Sequence, residues 1–428
     1  MRAVICGAGI AGLALAGRLH NALGWEVVVL EKAPGPRTEG YMIDFFGPGY
    51  DAAEAMGVLS WLEELSYPIS GATFVDDQGR SRAHLGYDRF ARSLDGRLLS
   101  IMRPDLELAL RERLSFAVGL RFGVSPARVD ATAYGVRVTL TDGSSLDADL
   151  LVGADGIHST VRALAFGDER RYVRHLGYHT AAFTFADPEV HAELGDRFCL
   201  TDTVGRQMGL YALRDGKVAA FAVHRASDPR RPEDTRAALH HEYRSLGWLV
   251  PRALAGCPPS PQVYYEQVAQ TVLPSWSRGR IVLVGDACHA VSLLAAQGAS
   301  LAIAGAYVLA DQLAGSRSVE EALAGYERLW RPAVNRRQRS ARRTARWFVP
   351  ATPRQLRLRR IALWLADLPV TGNVAGTALA GRQRPYLRQL AAVPAWSRTA
   401  KSTGPRSRPA KSTRLARSSG EQTQRAES

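Results

Sequence analysis

The residues best suited to chemistry in this chain are glycines and carboxylates at turn positions, not a nucleophile or a metal cluster. The stretch Gly7-Ala8-Gly9-Ile10-Ala11-Gly12 follows a short apolar run, Arg2 to Cys6, and leads into a helical pattern from Ala11 to Leu19. The run reads as a buried parallel strand. Gly7, Gly9, Ala11 and Gly12 then allow a tight turn and bring the backbone close to a pyrophosphate at the helix N-terminus. A second apolar run, Trp25 to Leu30, ends in Glu31 and Lys32. An acid at that strand tip accepts a hydrogen bond from a ribose 2′-hydroxyl and repels a 2′-phosphate. The pattern therefore suits the adenosine diphosphate of FAD or NAD.

Two later stretches extend the pattern: Gly153-Ala154-Asp155-Gly156-Ile157-His158-Ser159-Thr160-Val161-Arg162 and Gly285-Asp286-Ala287-Cys288-His289. Asp155 has the residue type and position to fix a turn through side-chain to backbone bonds. Asp286 is a short carboxylate at the end of another apolar run, Ile281 to Val284. Together and in this order, the three stretches resemble the single-component FAD-dependent aromatic hydroxylases, the family of para-hydroxybenzoate hydroxylase. That family includes tetracycline-degrading and polyketide-tailoring members. The resemblance runs from Met1 to about Pro350.

The resemblance implies an α/β fold: a Rossmann-like FAD-binding domain with an inserted mixed-sheet substrate domain and a C-terminal helical region. It implies an FAD-dependent monooxygenase that uses NADPH or NADH as a transient co-substrate. Molecular oxygen would be passed, through a flavin C4a-hydroperoxide, to an aromatic or polyketide-like small molecule. No catalytic side chain and no metal are required, since the flavin carries the reaction. The cofactor-binding set becomes Gly7, Gly9, Ala11, Gly12, Glu31, Lys32, Arg37, Asp44, Arg103, Asp155, Gly156, Gly285, Asp286, Gln297 and Gly298. Within it the resemblance gives Asp286 a ribityl hydroxyl, Arg37 the nicotinamide cofactor, and Asp44 and Arg103 contacts to FAD. Asp155-Gly156 would serve both cofactors, and Arg162 would position that loop. The helix after Gly298 would aim its positive end at the flavin. Tyr178, His179, Tyr211 and His224 are candidate substrate residues. Two alternatives stay open: a reductase or dehydrogenase of the same fold, and a flavin-binding protein with impaired oxygenation.

The chain departs from the family pattern in the late loop, Val291-Ser292-Leu293-Leu294-Ala295-Ala296-Gln297-Gly298. The family has a proline near Leu293 and a glycine at Ala296. Leu293 loosens the backbone, and Ala296 adds a methyl where positive φ is wanted. The expectation is uncoupled NADPH oxidation that releases hydrogen peroxide, relieved by Leu293→Pro with Ala296→Gly. Glu39-Gly40 also replaces the usual glycine pair.

The elements that must position these residues follow from the same patterns. The expected division is 1–70, 98–169 and 270–330 for the FAD-binding domain. Residues 71–97 and 170–269 would form the substrate domain, 331–397 C-terminal helices, and 398–428 a disordered basic tail. Helices are predicted over Asp51 to Leu65, Asp105 to Arg113, Arg236 to Leu246, Ala299 to Leu313 and Glu320 to Trp347. A hairpin is predicted from Gly71 to Ala83, and strands at Val136 to Leu140 and Leu146 to Val152. The chain has 428 residues and a formal net charge of +14, unevenly spread. Residues 331–360 hold 11 arginines and no acid, whereas residues 1–330 hold 38 acids against 33 bases. The basic balance belongs to the C-terminal quarter, so nucleic-acid binding is not expected. The arginines of the 320–347 helix read as a solvated face. No apolar run is long enough to span a membrane. Four scattered cysteines lack paired spacing, which fits a cytoplasmic protein. A monomer or homodimer is expected.

Overall fold

The computed structural model describes residues 1–367, apart from 38, 39, 93 and 296. The expected tail at 398–428 and the end of the 331–397 helical region lie outside the described residues.

One sheet carries the nucleotide-type motifs. Its order is Ser277–Arg278, Ile281–Leu283, Leu150–Gly153, Arg2–Cys6, Glu26–Glu31 and Gly119–Phe122. All neighbours are parallel except the short Ser277–Arg278 edge. The near-continuous apolar runs are what a parallel sheet covered on both faces requires. Val4, Ile5, Leu151 and Val282 are fully buried accordingly. The chain leaves the adjacent strands Arg2–Cys6 and Leu150–Gly153 toward different helices, Ile10–Leu23 and Thr160–Phe166. This opens a crevice at the carboxyl ends of the strands, where all three motifs gather.

A second sheet has seven strands in the order Tyr264–Thr271, Val173–Ala186, Lys217–Arg225, Arg206–Ala212, Phe198–Thr201, Gly71–Val75 and Ser81–Gly86. The early hairpin joins it through a parallel pairing of Gly71–Val75 with Phe198–Thr201. A two-stranded ribbon, Met42–Phe46 with Leu98–Met102, lies beside both sheets. Helix Gly298–Gly315 packs on Ile10–Leu23, Pro48–Ala55 and Val319–Phe348.

Three details differ from the patterns read in the sequence. The expected strand from Leu146 to Val152 is two strands, Ser145–Ala148 and Leu150–Gly153, in different sheets. Asp149 makes the break: its N–H donates to the Arg2 carbonyl and its carboxylate accepts from the Arg2 N–H at 2.7 Å. The helix expected from Asp51 to Leu65 is also divided, into Pro48–Ala55 and Leu59–Glu64. Gly57 stands at φ +70° between them and ends the first. The basic C-terminal region is not only a solvated face. Arg342 donates to Gln270 Oε1 at 3.1 Å, and buried Arg359 donates to Asp202 at 2.7 Å. These bonds tie helices Val319–Phe348 and Pro353–Asp367 to the second sheet.

Candidate functional site

A long groove follows the carboxyl edge of the parallel sheet. Its outer part is lined by Gly7, Gly9, Glu31, Lys32, Arg37, Arg103, Asp155 and Gly156. Its inner part is lined by Gly9, Ala11, Tyr41, Arg103, Tyr264, Asp286, Leu293 and Gly298. Gly9, Arg103 and Gly156 border both parts, so the groove is continuous.

The glycines divide the work. A Cβ on Gly7, at φ +110°, would stand 2.3 Å from the Ala154 carbonyl oxygen, and one on Gly12 would stand 1.9 Å from the Gly7 oxygen. Both hold the turn against the neighbouring strand end, and Gly12 does so without bordering the groove. Gly9 caps helix Ile10–Leu23 without a side-chain bond, so the first-turn N–H groups point outward unspent. Glu31 sits at the tip of its strand. Its carboxylate accepts from the N–H groups of Ala8 at 2.9 Å and Ala33 at 3.0 Å and lies 3.8 Å from the Arg37 guanidinium. Lone pairs remain for a ligand hydroxyl.

Asp155 accepts from the Ser159 hydroxyl and, at 3.0 Å, from the Val161 N–H. Burial pushes its carboxyl upward, and these bonds oppose the shift. Arg162 is completely buried and donates to the carbonyls of Ile157 at 2.6 Å and Ala287 at 2.9 Å and to Glu169 at 2.9 Å. It thus staples the Asp155 loop to the Asp286 loop. Gly285, at φ +61°, would place a Cβ 2.8 Å from Ala11 Cβ, which seats the Asp286 loop on the first helix. The Asp286 carboxylate opens into the groove and has no hydrogen bond among the described residues. Burial raises its pKa and Arg103 opposes the shift. Arg103 in turn pairs with buried Glu107 at 2.7 Å. Gln297 is buried at the start of helix Gly298–Gly315, and a Cβ on Gly298 would meet nothing within 4 Å. An anion-ready helix start, a free acceptor at Asp286 and open space at Gly298 fit the pyrophosphate, ribityl chain and ring of FAD. Tyr41 and Tyr264, with ring centroids 5.4 Å apart, border the inner groove and escaped the sequence reading. Tyr264 belongs to the second sheet and carries no motif.

The inner groove adjoins an apolar chamber, with Tyr41, Ile43 and Leu293 as shared walls. Asp44 lies here and not along the groove. Its carboxylate accepts from Tyr87 Oη and Ser100 Oγ, each at 2.9 Å. Tyr211 also borders the chamber, its hydroxyl accepting from the Met42 N–H at 2.7 Å. Tyr178 does not border it; the ring packs with Leu294, Ala345 and Val349, and the hydroxyl accepts from Arg225 at 3.1 Å. His179 and His224 face the opposite side of the sheet, beside Tyr265 and Tyr243. Strand alternation decides this, since His179 shares a face with Ala181 and Phe183 of the far core. Burial lowers the His224 pKa to about 4, so its ring is neutral. Ala296 lies outside the described residues. All four cysteines are buried and unpaired. No helix among the described residues is long and apolar enough to cross a membrane, and no cluster of three metal-type ligands occurs among them.

Residues 1–341 match the sequence profile of a family described as FAD binding domain. A protein of Mycobacterium tuberculosis described as uncharacterized is 33% identical over 319 residues, 72% of this chain and 84% of that protein. A flavin-dependent monooxygenase of Legionella longbeachae is 28% identical over 345 residues, 79% of this chain and 87% of that protein. Among solved structures, the tetracycline destructase Tet(55) is similar with a TM-score of 0.73 at 24% identity, over 88% of this chain and 96% of that one.

Proposed function

This chain belongs to the FAD-binding-domain family of flavin-dependent aromatic hydroxylases, and from that premise we propose that it uses NADPH or NADH and molecular oxygen to hydroxylate an aromatic or polyketide-like small molecule. The observation that carries the reading is the adjacency of two cavities: the groove whose walls run from Glu31 to Asp286 shares Tyr41, Ile43 and Leu293 with an apolar chamber. When bound, FAD supplies the hydride-accepting and oxygen-activating chemistry.

The side chains bind, orient and exclude water. Glu31 takes the adenosine ribose, and the unspent N–H groups after Gly9 take the pyrophosphate. Arg103 adds positive charge: burial opposes its protonation, but Glu107, Tyr41, Tyr264 and Asp286 together more than offset that. Asp286 accepts a ribityl hydroxyl. The N-terminus of helix Gly298–Gly315 carries about half a positive charge and stabilises negative charge on the ring. Tyr41 and Tyr264 wall the inner groove, and Leu293 separates it from the chamber. Asp155 and Arg162 are positioning residues in this reading. In the proposed division, segments 1–70, 98–169 and 270–330 hold the cofactor, and 71–97 with 170–269 hold the substrate. The nicotinamide cofactor binds transiently near Arg37.

The test is a purified full-length protein. We expect a yellow protein that releases FAD and not FMN on denaturation, because Glu31 and the glycine turn serve an adenosine diphosphate. NADPH and NADH consumption is then followed across phenols and polycyclic aromatics, with oxygen-18 in the product measured by mass spectrometry. Released FMN would sink the cofactor assignment. Reduction of a substrate without oxygen uptake would favour a reductase.

A further inference from the structure

Among the described residues, the apolar chamber is lined by one acid, Asp44. Its walls include Ala72, Leu85, Phe198, Leu200, Phe221 and Phe348, and no lysine or arginine lines it among the described residues. Asp44 enters from the ribbon strand Met42–Phe46, where the neighbouring Ile43 reaches the inner groove. Its two carboxylate oxygens each accept one hydroxyl, from Tyr87 and Ser100. Both partners donate, so the arrangement holds a carboxylate with a fixed orientation. A carboxylate offers about four acceptor sites, and about two remain. Burying such a charge among apolar walls without a cation is costly, and burial does raise the Asp44 pKa. Of the tyrosines in the wall, Tyr87 already donates to Asp44, and the Tyr211 hydroxyl is occupied by the Met42 N–H and directed at Met102 Sδ at 3.7 Å. A structural tie between the ribbon and Tyr87 needs no opening onto a cavity; Asp44 has one.

We propose that Asp44 is the recognition point of the chamber, binding a hydrogen-bond donor, hydroxyl or ammonium, carried by an otherwise apolar ring ligand. The proposal rests on reading the adjoining groove as the flavin site. It also sets the orientation of the ligand. The donor end is held at Asp44, which does not border the groove, and the far end of the ring skeleton is presented past Ile43 and Leu293 toward the groove. Asp44 is therefore a specificity-determining residue, in contact with the ligand and not with the cofactor.

The experiment uses the FAD-loaded full chain and reads binding at equilibrium from the change in flavin absorbance. The probes share one shape: 2-naphthol, 2-methoxynaphthalene and 2-naphthylmethylamine. We expect 2-naphthol to bind at least tenfold more tightly than its methyl ether, which cannot donate. In Asp44→Ala the ratio should fall to threefold or less, with FAD content and ether binding unchanged. Asp44→Asn, which keeps the shape and one acceptor, should lie between, and it decides the matter if the alanine variant does not fold. Tighter binding of the amine than of the naphthol identifies an ammonium ligand, and the reverse order a hydroxyl ligand; either order supports the site. Absence of donor preference in the unmodified protein, absence of any binding, or a preference that survives in Asp44→Ala overturns the proposal. Failure of the hydroxylase reading is distinguishable, because it would appear as bound probe without oxygen incorporation.

Discussion

The early glycine turn and the late loop from Val291 to Gly298 border the same inner groove, yet they are constrained by different partners. The turn is fixed by the protein's own backbone. Atoms added at Gly7 or Gly12 would fall inside the Ala154 and Gly7 carbonyls. The late loop is not fixed in this way. An atom added at Gly298 meets nothing within 4 Å, and Ser292 adopts φ +101° although it is not glycine. That conformation costs about 1–3 kcal/mol, which its surroundings must offset. Buried Ser292 meets part of this through its hydroxyl, which accepts from the Leu294 N–H at 3.3 Å. A turn held by protein backbone has little freedom in sequence, whereas a loop that faces ligand can vary while the site persists.

The sharpest way to break this contrast is Gly12→Ala. A Cβ 1.9 Å from a carbonyl oxygen forces the helix off the sheet, and we expect about 3 kcal/mol of destabilisation with flavin lost on gel filtration. A variant that keeps its FAD and its melting temperature would show that the turn has slack. Next in size is Asp286→Ala. Removing a charged acceptor should weaken FAD binding by about 1–3 kcal/mol without changing the far-ultraviolet circular dichroism. Unaltered FAD affinity would mean that the carboxylate serves the loop and not the ligand.

Leu293→Pro tests the other side. The family pattern alone suggests that proline tightens this loop. The residue before a proline is, however, pushed to extended backbone at negative φ, and Ser292 stands at +101°. We therefore expect the single variant to retain FAD but to raise the ratio of hydrogen peroxide to hydroxylated product. Ser292→Gly, which suits positive φ, should stabilise the loop by about 1 kcal/mol in thermal unfolding. Improved coupling in Leu293→Pro would show that Ser292 yields readily.

The smallest effect concerns His158, which lies in the Asp155 loop between Glu169 at 2.9 Å and Glu266 at 3.1 Å. The bond to Glu266 is the main cause raising its pKa from 6.5 to about 9. A raised folded-state value means stability that is full below about pH 6.5 and lost as pH rises through about 9. The ring is partly exposed, so screening keeps the effect small. Melting temperature should fall slightly across that window, and His158→Gln should flatten the slope. An equal slope in both proteins would remove His158 as its source.

The same contrast explains what could be read from the sequence. Gly7, Gly9, Glu31, Asp155 and Asp286 were legible because backbone packing and strand-end geometry admit few residue types there. The facing of His179 and His224 was not legible. That facing depends on the register that pairs His179 with His224 and on which layer each sheet face meets. Tyr264 carries no local signal, since its role arises only where the second sheet meets the groove. Asp44 shows the same limit. The family resemblance implies a contact to FAD, while the ribbon's pairing with Leu98–Met102 turns its carboxylate toward Ser100 and Tyr87.

The pairing of Ile281–Leu283 with Leu150–Gly153 has a consequence for biosynthesis. During translation the strands Arg2–Cys6, Glu26–Glu31, Gly119–Phe122 and Leu150–Gly153 emerge first. The whole second sheet, through Thr271, is made before the strand that flanks Leu150–Gly153 leaves the ribosome. Until then the nascent sheet presents an unpaired, fully apolar edge, the kind that recruits other chains. Asp286 arrives later still, so FAD cannot engage that carboxylate to protect the early intermediate. Closing so long a loop also slows folding. Soluble yield should therefore respond more to translation speed, temperature and chaperones during synthesis than to flavin supplied afterwards.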